Sequence, residues 1–546
     1  MSVPAPATVP PTVPATRAPS RPITPPATSF PWLGLTAVLM GTFISTLNTR
    51  LSTLGLADIR GAVHAGFDEG AWISTAQTVA QMLVTLVAIW LGAIYGTRKA
   101  LMGAAAAFAV ISIVEPFSPN LHTLLVFQFL GGLASGFFIP LTLSFVLRNT
   151  PPKAWAYGVA VYALNLEVSL NISASLEGWY TDYLSWRFIF WQNVPFAVIM
   201  VACLYFGIKP EPVNPERPRA DIFGFLYGGC GFALIYAALD QGNRLDWLNS
   251  PLIIGLLSSG SLLLMLFFIH EWRCPFPAVD LRVVFEPPLP RMLLLVSFLR
   301  LTILSTALVI PQFLQTVRGF RALEVGDTLA WIAAPQLLIC FLAGFTLRRA
   351  DPRMVAVFGF MCICVACLMV AYGLTPVWGS DQFLPSAILQ AVGQSFALSG
   401  TVFFAVLHLR PQVALSFGAA IQVARLFGGE IGSAFIQTFV RVRSQVASNH
   451  LGQHIQIGDG TVIQRIQAYG AATARAGDPL SATTRGAAVL NNVVHGSAIT
   501  QGIIDAFVVI AAATALTVIF IVTRRAAPGG PASHMPLFTP RPQTPR

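Results

Sequence analysis

Seven ionisable side chains stand inside stretches of this sequence that are otherwise apolar: Arg50, Glu167, Glu177, Arg300, Arg425, Glu430 and Asp505. A charge in hydrocarbon costs about 2.5–3.5 kcal/mol even on mild insertion scales, so one that is kept there implies a partner, a wet cavity or a proton to carry. Glu167, Glu430 and Asp505 are the candidate proton-coupling carboxyls, Glu167 lying mid-stretch in Asn165-Leu-Glu167. Arg50, Arg300 and Arg425, with the amides of Asn48 and Gln128, are the candidate substrate or counter-ion contacts. Arg425 and Glu430 are five residues apart and so fall on different helix faces, which sends each to a partner on another helix. Glu177 and Asp505 lie near stretch ends, where solvation competes with a buried role. Bond-breaking chemistry finds no support. The eight His form no H-E-x-x-H and no Ser/His/Asp set, and no Gly-Lys-Ser/Thr phosphate loop is present. The expectation is therefore no enzyme, no metal and no cofactor.

The elements that must hold these residues are long. About fourteen apolar stretches of roughly 18–25 residues follow one another with short polar joints, and about 20 apolar residues cross a bilayer as a helix. They start near Pro31, Ala71, Lys99, Leu121, Ala154 and Trp186, then Asp221 and Pro251, then Arg291, Val325, Met354, Phe383, Leu415 and Thr500. The fold class is an all-α integral membrane protein. The 546-residue composition agrees: 55% hydrophobic and 10% charged, against about 25% charged in soluble domains. The net charge of +10 comes from Arg scattered through joints, with three Lys in all and no basic stripe, which argues against a nucleic-acid partner. Six of the seven Cys lie in apolar stretches, and Cys364-x-x-Cys367 reads as small packing residues rather than a redox pair.

Residues 1–30 and 524–546 are Pro-rich and read as disordered tails. Basic residues such as Arg98, Lys99, Arg348, Arg349 and Arg353 fall in alternate joints, which puts both termini in the cytoplasm. One joint, 440–499, is about 60 residues long. It falls on the outer face, with helical spacing over Val462–Ala474, and reads as an external cap or a docking surface for a periplasmic partner.

Short motifs mark the joints: Gly92-Ala-Ile-Tyr-Gly96-Thr-Arg98-Lys99; Gly178 through Ser185-Trp186-Arg187 to Asn193-Val-Pro195; Pro311-Gln-Phe-Leu314-Gln315 to Gly319; and Arg425-Leu-Phe-Gly428-Gly429-Glu430-Ile-Gly432. Together these resemble the fourteen-span drug:proton antiporters of the major facilitator superfamily, the EmrB-like group, from about Phe30 to Thr523. The resemblance implies a 6+2+6 helix plan: a six-helix bundle at 31–208, an inserted pair at 221–270 and a second bundle at 291–523. Gly92, Gly96, Arg98 and Lys99 take the place of the gating motif, with Arg98 and Lys99 placed to anchor the cytoplasmic end of span two and hydrogen-bond its last carbonyls. Gly131-Gly132-Leu-Ala-Ser135-Gly136 suits close helix approach. Phe127, Phe129, Phe137 and Phe138 supply apolar surface for a substrate.

Four positions depart from the family pattern. The acid of the first span is Asn48, followed by Thr49 and Arg50; the Asp of the second joint falls on Ala93; the membrane Arg of span four is Gln128; and the Gly-Pro pair of span five is Ser173-Ala174. The usual proton route is thereby displaced, and Glu167 and Glu430 are its expected replacements. The implied function is export of amphipathic or aromatic small molecules from the inner membrane, by proton antiport through non-standard residues, with a periplasmic membrane-fusion adaptor and an outer-membrane channel. The alternatives are a uniporter or organic-anion exporter in which Arg50 holds a carboxylate, and a non-transporting sensor or assembly factor.

Overall fold

Apolar sequence with few breakers folds here into helices and, among the described residues, nothing but helices and turns. The computed structural model describes residues 31–149, 155–209, 220–275, 277–279, 281–287, 289–407, 414–456, 458–472 and 479–523. Both tails read above as disordered lie outside these residues.

The first bundle holds α1 (Pro31–Leu54), α2 (Trp72–Tyr95), α3 (Thr97–Val114), α4 (Leu121–Ser135, resumed as Phe138–Asn149), α5 (Trp155–Trp179) and α6 (Asn193–Gly207). An inserted pair follows, α7 (Ile222–Gly242) and α8 (Pro251–Arg273). The second bundle holds α9 (Leu289–Leu304, continued through Ser305–Val309 and Ile310–Thr316), α10 (Ala322–Leu347) and α11 (Pro352–Gly373). It closes with α12 (Leu384–Leu407), α13 (Ala414–Gln453) and α14 (Pro479–Val522). Thirteen helical stretches among the described residues are long and apolar enough to cross a membrane. The fourteenth long helix, α13, is outside that set and carries Gln422, Arg425, Glu430 and Gln437 along its middle.

Packing follows the small residues. A Cβ built on Gly132 would lie 2.2 Å from the Gln77 carbonyl oxygen, and one on Gly136 would lie 2.4 Å from Val84, so α4 touches the α2 backbone there. A Cβ on Gly359 would lie 2.2 Å from the Ala397 nitrogen, which seats α11 on α12 in the same way. Without a hydrophobic drive between helices in lipid, such close van der Waals contact is what holds them together. The first bundle has a core of Phe108, Phe138, Leu141 and Met200. α5 instead turns Tyr162, Leu166 and Leu170 into the core of the second bundle. Ser175 Oγ donates to the Gly326 carbonyl at 2.9 Å and Cys340 Sγ to that of Ala160 at 3.2 Å, so α5 and α10 form a seam between halves.

Two expectations change. The joint at 440–499 is mostly helix: α13 runs on to Gln453, α14 starts at Pro479, and Gly460–Ala472 packs back on α14, where a Cβ on Gly486 would meet the Ile466 carbonyl at 2.0 Å. Side chains that alternate with polar ones can still pair as a helical hairpin once they leave the bilayer, which a search for apolar runs does not detect. In the gating motif, Gly96 has φ +83°, a left-handed conformation open to Gly, and it turns α2 into α3. Arg98 does not bond the end of α2. Its Nη2 donates to the Tyr205 carbonyl at 2.9 Å and its guanidinium lies over the Tyr205 ring, tying the turn to α6; Lys99 is exposed.

Gly132→Ala is expected to lower the melting temperature of the detergent-solubilised protein by several degrees, because the new methyl meets backbone. Gly103→Ala, with open space around the new methyl, is expected to leave it unchanged. Thermal scans by intrinsic fluorescence check both.

Candidate functional site

Between the two bundles lies a cavity of about 210 Å³, and most of the charged residues read from the sequence converge on it. α1 contributes Ser45, Thr49 and Arg50; α2 contributes Ser74, Thr78 and Gln81; α9 contributes Arg300 and Ala307; α13 contributes Arg425, Gly429, Glu430 and Gln437. The inserted helix α7 adds Tyr236 and Asp240. The walls of a second chamber, about 30 Å³, share Leu170, Arg300 and Arg425 with the first and add Tyr162, Leu166 and Glu167.

Arg50 is positioned by a proline. Pro311 has no N–H to give to residue 307, four positions back, and the helix widens through Ser305–Val309. The Ala307 carbonyl takes Nη2 of Arg50 at 2.7 Å instead, joining α1 to α9 across the halves. The Nε atoms of Arg50 and Arg300 are buried with no hydrogen-bond partner. Arg300 lies along α13 at Gly429, where an added Cβ would meet its Nε at 3.4 Å, an ordinary contact. Arg425 donates Nε to Gln422 Oε1 at 3.2 Å. None of the ion pairs among the described residues involves an arginine of the cavity. Glu430 lines the cavity beside Tyr236 and lies within electrostatic reach of Asp240 and Arg300. The wall thus holds three cations and two carboxyls, an arrangement that can bind an anion or exchange a proton.

Glu167 is fully buried on α5, and its Oε2 accepts from Gln336 Nε2 at 3.4 Å and Ser395 Oγ at 3.3 Å, while Oε1 has no partner. Around it Asn171, Gln336, Gln394 and Thr306 form a chain of amide and hydroxyl hydrogen bonds of 2.8–3.2 Å that crosses from α5 to α10, α12 and α9. The remaining candidates lie elsewhere. Asn48 Oδ1 accepts from Asn193 Nδ2 at 2.6 Å, and Gln128 Nε2 reaches Ser52 Oγ at 3.5 Å, so both tie the first bundle together. Asp505 pairs with Arg443 at 2.6 Å on the projecting parts of α14 and α13. Glu177, expected to be solvated, is fully buried with neither oxygen hydrogen-bonded. A Cβ on Gly55 would come within 3.1 Å of its Oε1, so the lack of a side chain at 55 is what admits it. None of the four Phe of α4 and its break lines either chamber, and Phe138 packs on Phe108 inside the first bundle.

Tyr236 and Asp240 are the residues that sequence reading missed. The signal was an acid followed by Gln241 at the end of an apolar stretch, taken there for the start of a joint. Asp221, His270 and Cys274 bring ligand-type atoms within 4.8 Å of one another at the other end of the inserted pair. Asp221 is already occupied, capping α7 through Gly224 N and meeting His270 Nε2 at 2.7 Å, so the group reads as a clasp between α7 and α8.

Two helical bundles around a polar midplane cavity, with helices long enough to span a bilayer, define a secondary-transporter architecture. The Major Facilitator Superfamily model matches residues 38–433, and the chain belongs to that family. The chain is 26% identical to the multidrug export protein EmrB of Escherichia coli (strain K12) over 408 residues, 74% of this chain and 78% of that protein. It is likewise 26% identical to the probable multidrug resistance protein EmrY of the same organism, over 67% of this chain and 71% of the relative. Similarity to the fatty acid resistance protein FarB of Neisseria gonorrhoeae is 24% over 78% of this chain and 83% of the relative. Among solved structures, the human organic anion transporter MFSD10 superposes with a TM-score of 0.57 at 13% identity, covering 90% of this chain and 99% of that one. The proton:xylose symporter XylE superposes at 0.54 and 10% identity, covering 90% and 95%. At these identities the structures speak for the fold alone.

Gln394→Leu is expected to leave Gln336, Asn171 and Thr306 short of partners in a dry interface, at a cost of about 1–3 kcal/mol. Chemical denaturation beside Gln501→Leu, whose exposed amide meets only Asp505 in a 3.2 Å contact, measures it.

Proposed function

We propose that the protein exports amphipathic or aromatic small molecules across the bacterial inner membrane in exchange for protons, with Glu430 as the proton-carrying group. The observation that carries this reading is the placement of Glu430: in the cavity wall, with Tyr236 and Arg300, where an occupant of the cavity is in its field. Glu167, clasped by groups of α10 and α12 from across the seam, is the second acid, its protonation linked to separation of the halves. Arg443 neutralises Asp505, which favours a structural role there. The names of the relatives, multidrug export and fatty acid resistance, support the export direction and an amphipathic cargo. Both termini are taken as cytoplasmic, so that α13 and α14 project into the periplasm and offer a surface for a membrane-fusion adaptor and, through it, an outer-membrane channel.

The excess of arginines favours a second reading, an organic-anion exporter in which Arg50, Arg300 and Arg425 hold the anionic group. An inside-negative potential favours outward movement of an anion by about 2.3 kcal/mol per 100 mV without any proton. The two readings differ in sign. A cationic or neutral molecule that needs the ionised Glu430 expels a proton on binding. An anion sharing the cavity repels that carboxylate, so its binding takes up a proton.

Proton movement on addition of ethidium, an aromatic cation, and of decanoate, an apolar carboxylate, to the detergent-solubilised protein in weak buffer separates them. Release with ethidium in the parent but not in Glu430→Gln is the expected result. Uptake with decanoate, with no proton movement on ethidium, transfers the assignment to the anion reading. Binding of both probes with no proton movement sinks the role given to Glu430.

A further inference from the structure

We propose that protons reach Glu430 from the projecting face of the protein through the inserted helix α7, with Asp240 as the intermediate carrier; the inference rests on the role of Glu430 proposed above. The geometry is a hydrogen-bonded line of polar side chains from the surface to the cavity, in which Arg244 and Gln241 order the path and carry no proton themselves. Asp68, on the short helix Phe67–Gly70, has a side chain 80% exposed, and its Oδ1 lies 2.6 Å from Arg244 Nη1. Arg244 Nε donates to Gln241 Oε1 at 2.8 Å. Gln241 Nε2 donates to Asp240 Oδ2 at 3.0 Å and to Thr75 Oγ1 at 2.6 Å, and Thr75 itself bonds Asp240. Asp240 and Glu430 then face one cavity, with Tyr236, one helical turn before Asp240, in the same wall.

An acid on α7 needs a reason. Burying it next to Glu430 sets two carboxyls in mutual repulsion, which a static tie between helices would avoid by using an amide, as Gln241 does in the next position. The charged and titratable groups facing Asp240 are Tyr236 from α7 and Arg244 just beyond its end, Glu430 and Arg425 from α13, and Arg50 from α1 and Arg300 from α9 across the cavity; α2 offers only uncharged groups, Thr75, Thr78 and Gln81. No other carboxyl stands between the exposed Asp68 and Glu430 among the residues lining the cavity. The step balances without a co-reactant. A proton from solvent forms an O–H bond on the Asp240 carboxylate; that bond breaks as an O–H bond forms on Glu430, and the electron pair stays on Asp240, restoring its carboxylate. A polar cavity of this size admits the water that bridges the two.

The test needs no substrate. Purified protein is taken through a rapid pH drop while the infrared carboxyl band is followed, and the Glu430 component is identified by its loss in Glu430→Gln. Asp240→Asn is expected to slow protonation of Glu430 by at least about tenfold, and Asp240→Glu to restore it. A purely structural Asp240 would lower the melting temperature of the variant and leave that rate alone. An unchanged rate in Asp240→Asn overturns the relay while Glu430 stands as the carrier. Absence of any band that titrates in the parent and vanishes in Glu430→Gln overturns the assignment of Glu430 and the relay with it. Should Asp240→Asn not fold, Thr75→Val keeps the carboxyl but removes its hydroxyl partner, and an unchanged rate there is equally adverse.

Discussion

The hydrogen bond from Arg50 to the Ala307 carbonyl rests on a constraint that governs the whole molecule: hydrocarbon supplies no partner for a polar group, so the protein must. Pro311 breaks one helical hydrogen bond in α9, and a freed carbonyl in that position would be costly. Arg50, equally costly alone, answers it from the other bundle. Each makes the other tolerable, and both hold only while α1 and α9 are together. The same logic runs through the amide chain around Glu167, in which Gln336 and Ser395 donate to Glu167, and Asn171 to Gln336 and Gln394, across the seam between halves. Polar groups at the midplane are thus arranged in mutual debt, and any separation of the bundles must replace these partners with water or with cargo.

The arginines show where that arrangement is left open. Arg50 and Arg300 each keep an Nε with no partner, and neither has a carboxylate within ion-pair distance. A protein that only needed a stable core would close these valences. Their persistence around a polar cavity fits a site that changes occupants.

Helix order was legible in the sequence because twenty apolar residues have few alternatives to crossing a bilayer; the 40- and 44-residue lengths of α13 and α14 were not, since both run on past their apolar stretches. The list of buried charges was legible for the same reason, and Arg50, Arg300, Arg425 and Glu430 do meet at one cavity. Helix rotation was not legible, since lipid-facing and core-facing residues are equally apolar; this is why Phe138 was taken for cavity surface and proves to be core. Asp240 and Tyr236 escaped because they stand at the end of an apolar stretch, and only packing of α7 on α2 and α13 turns them inward. Within residues 440–499 the helical spacing read from Val462 is found in the helix Gly460–Ala472, whereas the extensions of α13 and α14 escaped because helices outside the membrane carry no apolar run to betray them. Arg98 was read for its own helix, whereas a long side chain at a tight turn reaches whichever carbonyl is near.

The projecting parts of α13 and α14 have a mechanical meaning. At 40 and 44 residues these helices are about 60 Å long, roughly twice the hydrocarbon thickness. They are stapled together where they leave the bundle by Arg443 and Asp505, and by the close contact of Gly502 with Ser444. Glu430 sits on the inner part of one of these same rods. A rod that is continuous from the cavity to its tip behaves as a lever: a tilt of about 10° at the midplane swings a point some 30 Å out by about 5 Å. The state of the cavity is thereby displayed as a displacement outside the bilayer, and a force applied at the tip is felt at Glu430 in return.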